Sequence, residues 1–303
     1  MRYVITGATA RTSSIVAEGL LDQGKDINVI GRNINRLKMF SDKGAIAFKA
    51  DPSDGNALTP AFKGADAAWI ILQPNYIPDS PDFREFQSGL IRALIQSISK
   101  NGLKYAVTLS SWGADVNAGS GPVAGLRDME LAFNKLPDLN VLHLRAGYFM
   151  ENMLGYIPPI IQFGKVPGPF DPHIKLPFIA TKDIGDYAVK VLTNLDFEGK
   201  VIHELHGERD LTIAEAVSII GNAIGKPDLE YEQISNHDFT KALLDSGVSE
   251  SVAGLMGEVV TGINTHHIKM SGIRSVDNTT PTSFEEFVNN TLLPIYHKAL
   301  AGL

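Results

Sequence analysis

The 303-residue chain has no cysteine, so disulfide staples, thiolate metal centres and cysteine nucleophiles are all excluded. Positive charge is scarce. With 27 Lys and Arg against 34 Asp and Glu, the formal net charge is −7, which argues against a whole-surface electrostatic grip on nucleic acid. No window approaches the roughly 18 uninterrupted apolar residues that suggest a membrane-spanning helix. The opening residues lack a basic leader and a cleavage site, so no secretory signal is expected; with the missing cysteines, this fits the cytoplasm. There is no short-period repeat and no low-complexity tract. No Gly-x-Ser-x-Gly elbow occurs, which leaves hydrolase chemistry without support. His266 and His267 are adjacent rather than four apart and lack carboxylates at ligand spacing, so no metal site is expected. His173, among prolines, reads either as a pocket residue or as loop surface.

What is present is an alternation. Short apolar runs at Tyr3–Ile5, Ile27–Ile30, Ala45–Lys49, Ala67–Leu72, Tyr105–Leu109 and Val141–Leu144 read as strands. Between them, Ser13–Gln23, Arg36–Phe40, Leu58–Phe62, Arg84–Lys100 and Gly125–Asn134 read as helices. Parallel strands need crossovers of about a dozen residues or more, so this order predicts an α/β fold: a Rossmann-type, doubly wound parallel sheet with helices on both faces. The stripe Phe86, Leu90, Leu94 and Ile98 is a core face. After Arg145 a proline- and glycine-bearing stretch leaves the sheet, and "FIATKDIGDYAVKVL" returns to it with Thr181 or Asp183 as the expected helix cap. Thr212 and Glu215 form a capping-box pattern, followed by a Gly225–Lys226–Pro227 stop. The expected division is a nucleotide domain of 1–150 plus about 178–205, and a smaller C-terminal α/β substrate domain of 151–177 plus 206–303.

The stretch "TGATARTSS" lies where a dinucleotide-binding loop carries three glycines. Only Gly7 is glycine; Ala10 and Ser13 occupy the other two places. Neither is a large obstruction, and the helix end keeps its free N–H groups and partial positive charge. Thr9, Thr12, Ser13 and Ser14 supply hydroxyls, and Arg11 a cation. The second strand ends in Gly31, Arg32 and Asn33 with no carboxylate for a ribose 2′-hydroxyl. A guanidinium at Arg32, or at Arg36 one helical turn on, suits a 2′-phosphate; the alternative is a pair of solvated charges. Asp51 either meets adenine or begins a turn.

Taken with "GADAAWIIL", "YAVTLSSWGAD", "LRAGYFMENML" and "HGERDLTIAEAVSIIGNAIGKP", the chain resembles the NmrA-like family, a branch of the atypical short-chain dehydrogenase/reductases, nearly end to end. The resemblance implies NADP(H) in a cleft between a Rossmann-type domain and a small C-terminal one. It places Gly7, Thr9, Ala10, Arg11 and Thr12 on the phosphate loop, Arg32 at the 2′-phosphate and Asp51 near adenine. Leu72, Gln73 and Pro74 would approach the ribose, and Ser110 and Ser111 would end the fifth strand beside the nicotinamide. Tyr148, Phe149, Met150 and Asn152 would line the substrate side, and Trp112, Tyr148 and Phe149, with Tyr76, would make an apolar, aromatic pocket for a flat ring; Phe149 and Met150 read equally as core. Ala10 and Ser13 depart from the family pattern, as does Ala146, where proline would follow Arg145.

Typical short-chain dehydrogenases protonate a carbonyl with a tyrosine and a lysine four residues on. None of the eight tyrosines here has that lysine; Tyr187 has Lys190 at +3. The corresponding region offers Arg127 and Glu130; Arg127 either neutralises a developing oxyanion or touches the cofactor, with Ser110 and Ser111 as further catalytic candidates, or it forms an exposed i,i+3 ion pair with Glu130. The expected function is an NADPH-dependent oxidoreductase passing hydride to a quinone or another small flat carbonyl acceptor. The alternative is a non-catalytic NADP(H)-binding redox sensor acting on a protein partner. Neither reading involves direct nucleic-acid or membrane binding.

Overall fold

The computed structural model describes residues 1–72 and 79–302. Six strands alternate with helices in the first half: β1 (Arg2–Ile5), α1 (Arg11–Asp22), β2 (Asp26–Gly31), α2 (Ile34–Ser41), β3 (Ile46–Lys49), α3 (Gly55–Phe62), β4 (Ala67–Ile71), α4 (Phe83–Asn101), β5 (Tyr105–Ser111), α5 (Val123–Asn134) and β6 (Asn140–Ala146). The chain then leaves the sheet through β7 (Tyr148–Phe149), a 3₁₀ turn (Met150–Tyr156), α6 (Ile157–Phe163), β8 (Val166–Gly168), β9 (Lys175–Leu176) and β10 (Phe178–Ile179). It returns as α7 (Thr181–Asn194) and β11 (Lys200–Leu205). The remainder carries β12 (Leu211–Thr212), α8 (Ile213–Ala223), β13 (Tyr231–Gln233), α9 (Asn236–Asp245), α10 (Glu250–Asn264), α11 (Phe284–Phe287) and α12 (Leu293–Ala301).

The seven long strands form one sheet in the order β11-β6-β5-β4-β1-β2-β3. Every pairing in it is parallel. This is the doubly wound sheet that the alternation predicts. Side chains alternate across it. Tyr3, Ile5 and Trp69 pack with Val16 and Leu20 of α1 and Ile184 of α7. Val4, Ala68 and Ile70 pack with Leu58 of α3, Leu90 and Leu94 of α4 and Phe133 of α5. A third core, including Met150, Met153, Phe178, Ile213 and Phe284, gathers the excursion after β6 and the C-terminal helices.

Ser13 has a structural role that a glycine there could not fill. Ser13 and Trp69 are both fully buried, and the Trp69 Nε1–H donates to Ser13 Oγ at 3.0 Å. The close helix contact is supplied elsewhere. A Cβ on Gly185 would lie 2.5 Å from Ile15, and one on Gly19 would lie 2.8 Å from Val189, so α1 and α7 meet through two other glycines. A second buried polar link joins β5 to β6: Thr108 and His143, opposite each other in register, share a 2.8 Å hydrogen bond at Nδ1, and Asn134 Oδ1 meets the other ring nitrogen at 3.0 Å. Burial lowers the His143 pKa from 6.5 to about 4. Among the described residues, no helix is long and apolar enough to cross a membrane.

Two outcomes are expected. Ser13→Ala strands a buried indole N–H and should lower stability in urea by about 1–3 kcal/mol; much of that loss should disappear when Trp69 is already phenylalanine. For His143, the unfolded chain binds more protons than the folded one between about pH 4 and 6.5. Stability should therefore fall as pH drops through that window, by roughly 3 kcal/mol from this group. A His143→Gln protein should show a flatter pH dependence in the same denaturation series.

Candidate functional site

The chain turns out of β1 at Gly7, whose φ of +55° lies in the left-handed region that favours glycine. Ala8 N–H donates to the Ile30 carbonyl at 3.0 Å and Ala10 N–H to the Gly7 carbonyl at 2.8 Å, which fixes the loop against β2. Helix α1 then begins at Arg11. Its N-cap is Ala10, which has no side-chain oxygen to cap the first turn. This end opens on a cleft of about 910 Å³. Gly7, Thr9, Ala10, Arg11 and Thr12 form one wall, and Arg32, Asn33 and Arg36 another, with Ala50 and Pro52 beyond them. Leu58, Leu90 and Leu94 supply an apolar flank; Phe149, Glu151, Asn152 and Thr181 also contribute to the lining.

The electrostatics of the cleft are one-sided. Arg11, Arg32 and Arg36 are exposed on its walls, and among the described wall residues Glu151 is the only carboxylate. That carboxylate already has partners: Thr181 Oγ1 donates to Glu151 Oε1 at 2.5 Å, and Thr181 N–H lies 3.1 Å from both oxygens. Burial raises the Glu151 pKa, opposed by the Thr181 hydrogen bonds and by Arg11. This contact also corrects the expected cap of α7. The N-cap is Ala180, Thr181 is already helical, and the cap comes from Glu151, 30 residues earlier in the chain. Asp183 instead accepts from Thr282 N–H and Oγ1, at 3.0 and 2.6 Å.

The loop hydroxyls divide. Thr9 and Thr12 line the cleft, whereas Ser13 faces Trp69 and Ser14 Oγ donates to the Arg11 carbonyl. A dinucleotide fits these residues: a turn held open by glycine, an uncapped helix end, and three guanidiniums with no acid paired to them within 4 Å among the described residues. The family of contacts is that of an anion cradle. No group of three metal-ligating side chains lies together among the described residues.

The expected catalytic residues lie off the cleft wall. Arg127 and Glu130 do not pair. Arg127 reaches Asn117 Oδ1 at 2.5 Å, while Glu130 turns inward, 3% exposed, to Arg145 of β6. Arg145 grips it with two hydrogen bonds, Nε to Oε1 at 3.0 Å and Nη2 to Oε2 at 2.6 Å. A buried carboxylate requires such a partner, and Arg127 on the same helix is turned to Asn117 instead. Ser110 Oγ donates to the same Glu130 Oε1 at 2.5 Å, so its proton faces the core. Ser111 ends β5 opposite Ala146.

The substrate-side residues separate. Phe149 and Asn152 line the cleft, whereas Trp112 lines a second cavity of about 270 Å³. Tyr148 packs edge-on against Phe170 and Phe178 in the C-terminal core. Leu72 is buried beneath the cleft, and Ile71 reaches the wall instead. Asp51 closes a turn by accepting Ser53 N–H and Oγ at 2.9 and 2.7 Å, which holds its pKa down; the cleft wall passes to its neighbours Ala50 and Pro52. His173 is exposed on its loop. Gln73, Pro74 and Tyr76 lie outside the described residues. Glu151 is a wall residue to which sequence reasoning gave no role, and Thr181, read only as a helix cap, joins it there. The available signal was a lone carboxylate in the otherwise apolar run "GYFMEN".

Comparison with known proteins agrees with this geometry. Residues 138–288 match the model of the NmrA-like family, and residues 7–135 match a model described as NAD(P)H-binding. The chain is 25% identical over 297 residues to Prestalk A differentiation protein A of Dictyostelium discoideum, covering 96% of this chain and 92% of that protein. It is also 25% identical over 288 residues to the Uncharacterized oxidoreductase YesF of Bacillus subtilis, covering 94% and 93% respectively. Among solved structures, the NADPH-dependent quinone oxidoreductase of Escherichia coli, crystallised with NADPH, shares the fold with a TM-score of 0.78. The identity there is 22%, across 95% of this chain and 99% of that one.

Glu130→Gln would leave the buried Arg145 guanidinium with Asp115, at 3.9 Å, as its remaining carboxylate within 4 Å among the described residues, and Glu204 farther off. The expected cost is about 3–5 kcal/mol in chemical denaturation, because a buried charge loses its partner. Replacing both with apolar residues of similar volume should recover much of that loss.

Proposed function

The chain belongs to the NmrA-like family, with an NAD(P)H-binding N-terminal part, and we propose that it is an NADPH-dependent reductase of a quinone or similar small, flat carbonyl acceptor. The observation that carries this reading is the charge pattern of the cleft: an uncapped helix end and three exposed guanidiniums against one engaged carboxylate. Gly7, Thr9, Arg11 and Thr12 would hold the diphosphate, with the amides of the first turn of α1 facing its charge. Arg32, supported by Arg36 in the first turn of α2, would select the 2′-phosphate. Asn33 caps that helix by accepting from Asn35 N–H at 2.9 Å and so fixes where Arg36 stands. Ala50 and Pro52 would flank adenine, and Phe149 and Asn152 would meet the acceptor side.

When bound, the reduced nicotinamide supplies a hydride. The protein's part is to hold and dry the site: Ile71, Leu90, Leu94, Leu109 and Phe149 exclude water from its walls, and Glu151 fixes Thr181 at the start of α7. No tyrosine–lysine pair is present to deliver a proton, and Ser110 is committed to Glu130. A quinone suits such a site, since its reduced oxygen can be protonated by water. The corresponding division of labour assigns residues 1–150 with 178–205 to the dinucleotide, and 151–177 with 206–303 to the acceptor.

The same missing proton donor favours a second reading, a redox sensor that binds NADP(H) with little turnover and changes its affinity for a protein partner. Calorimetry tests the common ground. NADPH should bind about 10–100-fold more tightly than NADH, and Arg32→Ala should remove most of that preference while leaving NADH within about twofold. Equal affinities in the unaltered protein would overturn the NADPH assignment. NADPH oxidation over a quinone and aldehyde panel then separates the two readings: turnover above the no-enzyme rate supports the reductase. A flat panel, with a partner whose binding differs between NADPH and NADP⁺, supports the sensor.

A further inference from the structure

We propose that the dinucleotide cleft also serves the reduction of a flat, conjugated iminium cation, with the Glu151 carboxylate selecting the charge of that acceptor. The inference rests on the reductase reading above and names a second acceptor class for the same site. The sheet order sets the two ends of the cleft. Arg32, Asn33 and Arg36 stand at the β2 end, and Gly7, Thr9, Arg11 and Thr12 follow β1 in the middle. Ile71, Leu109, Phe149 and Asn152 stand near or beyond the carboxyl ends of β4, β5 and β6. With the 2′-phosphate at the first place and the diphosphate at the second, the acceptor falls to the third.

Glu151 belongs to that third place, on the same turn as Asn152. Among the described residues it is the one carboxylate of the wall, and it forms no ion pair within 4 Å. Its hydrogen-bond donors are neutral: the Thr181 hydroxyl gives to Oε1 at 2.5 Å, and the Thr181 N–H lies 3.1 Å from both oxygens. These bonds orient the carboxylate and leave lone pairs on it. Burial acts against its charge, and Thr181 and Arg11 act for it. A bound diphosphate would claim Arg11, so the loaded cleft would hold a desolvated carboxylate with no counter-charge, an arrangement that is costly until a cation arrives. Phe149 on the same wall adds an aromatic ring, whose face attracts organic cations. A neutral quinone leaves this carboxylate without a task.

The step balances without a proton. A hydride leaves the reduced nicotinamide with its electron pair and bonds the iminium carbon, and the C=N π pair moves onto nitrogen. NADPH is oxidised to NADP⁺, and the cation is reduced to a neutral tertiary amine. Such an acceptor suits a chain with no tyrosine–lysine pair and with Ser110 committed to Glu130. Positive charge passes from the acceptor to the nicotinamide at the same end of the cleft, so the carboxylate would stabilise both sides of the transfer. Its loss should therefore appear in KM rather than in kcat.

Two probes test this on the full-length protein. N-methyl-dihydroisoquinolinium, a permanent cation, is the acceptor. N,N-dimethyl-tetrahydroisoquinolinium, which has no C=N bond to reduce, reports binding alone by calorimetry on NADPH-saturated protein. The first should be reduced above the no-enzyme rate. The second should bind about 10-fold more tightly than its neutral carbon isostere, a dimethyltetralin. Glu151→Gln, whose amide oxygen can still accept from Thr181, should raise the KM of the acceptor and the Kd of the saturated probe about 10-fold, with kcat within about threefold. The ratio of kcat/KM for the cation to that for a quinone should fall by a similar factor. Where that variant fails to fold, the cation and its isostere on the unaltered protein decide the matter. Turnover of a quinone with none of the iminium, equal binding of cation and isostere, or a Glu151→Gln protein with KM and Kd unchanged would each overturn the inference and leave the reductase reading standing. A protein that bound no NADPH would remove both.

Discussion

The hydrogen bond from the Trp69 indole to Ser13 sets the position of α1 on the sheet, and the cleft follows from that position. A helix laid on a sheet by apolar contact alone can slide. One directional bond between two fully buried groups, backed by the close α1–α7 contact at Gly19 and Gly185, gives it a single register. With α1 fixed there, its first turn lies at the carboxyl end of β1, beside β2 and β4, where an open α/β sheet places its ligands. The serine that departs from the three-glycine pattern is therefore compatible with a working loop: it exchanges close approach at one position for a bond at the same position.

Charge in this molecule is sorted by depth. Among the described residues the one buried guanidinium–carboxylate pair, Arg145 with Glu130, is neutralised internally and also ties Ser110. The guanidiniums at Arg11, Arg32 and Arg36 are left exposed around the dinucleotide cleft. An anion arriving there displaces water from groups that, among the described residues, have no carboxylate within 4 Å to give up, whereas an anion near Arg145 would compete with a bidentate carboxylate. This difference in availability marks the site more sharply than arginine content does.

Much of this was legible in the sequence. The alternation of elements gave the parallel sheet because a period of two and a period of 3.6 are distinguishable over the long α4 and the short strands. The places of Gly7, Arg11, Arg32 and Arg36 on the cleft wall were legible because loop and strand-end positions follow directly from that order. Contacts across long stretches of chain were not. Glu130 read as a partner for Arg127, since helical spacing shows only neighbours on one helix and gives no view of Arg145 on a facing strand. The cap of α7 was sought in Thr181 or Asp183 for the same reason, and it came from Glu151. Asp51 was ambiguous for a different cause: an aspartate after a strand serves a turn and a ligand with the same chemistry, and its bonds to Ser53 show the turn.

The end of β5 carries the last step of the argument. Three successive residues there have three different fates: Ser110 is locked into the Glu130 network, Ser111 closes the strand, and Trp112 faces the second cavity. A serine that gives its proton to a buried carboxylate cannot also give it to a developing oxyanion at the cleft, and no lysine-activated tyrosine stands in for it. On the reductase reading proposed above, chemistry would depend on where the acceptor is held and on an acceptor whose reduced form needs little help with its proton. That condition favours a conjugated quinone over an isolated ketone, whose alkoxide in water is far more basic. On that reading the constraint arises from one short hydrogen bond in the core, and Glu130 and Arg145 would bear on function through the serine they hold.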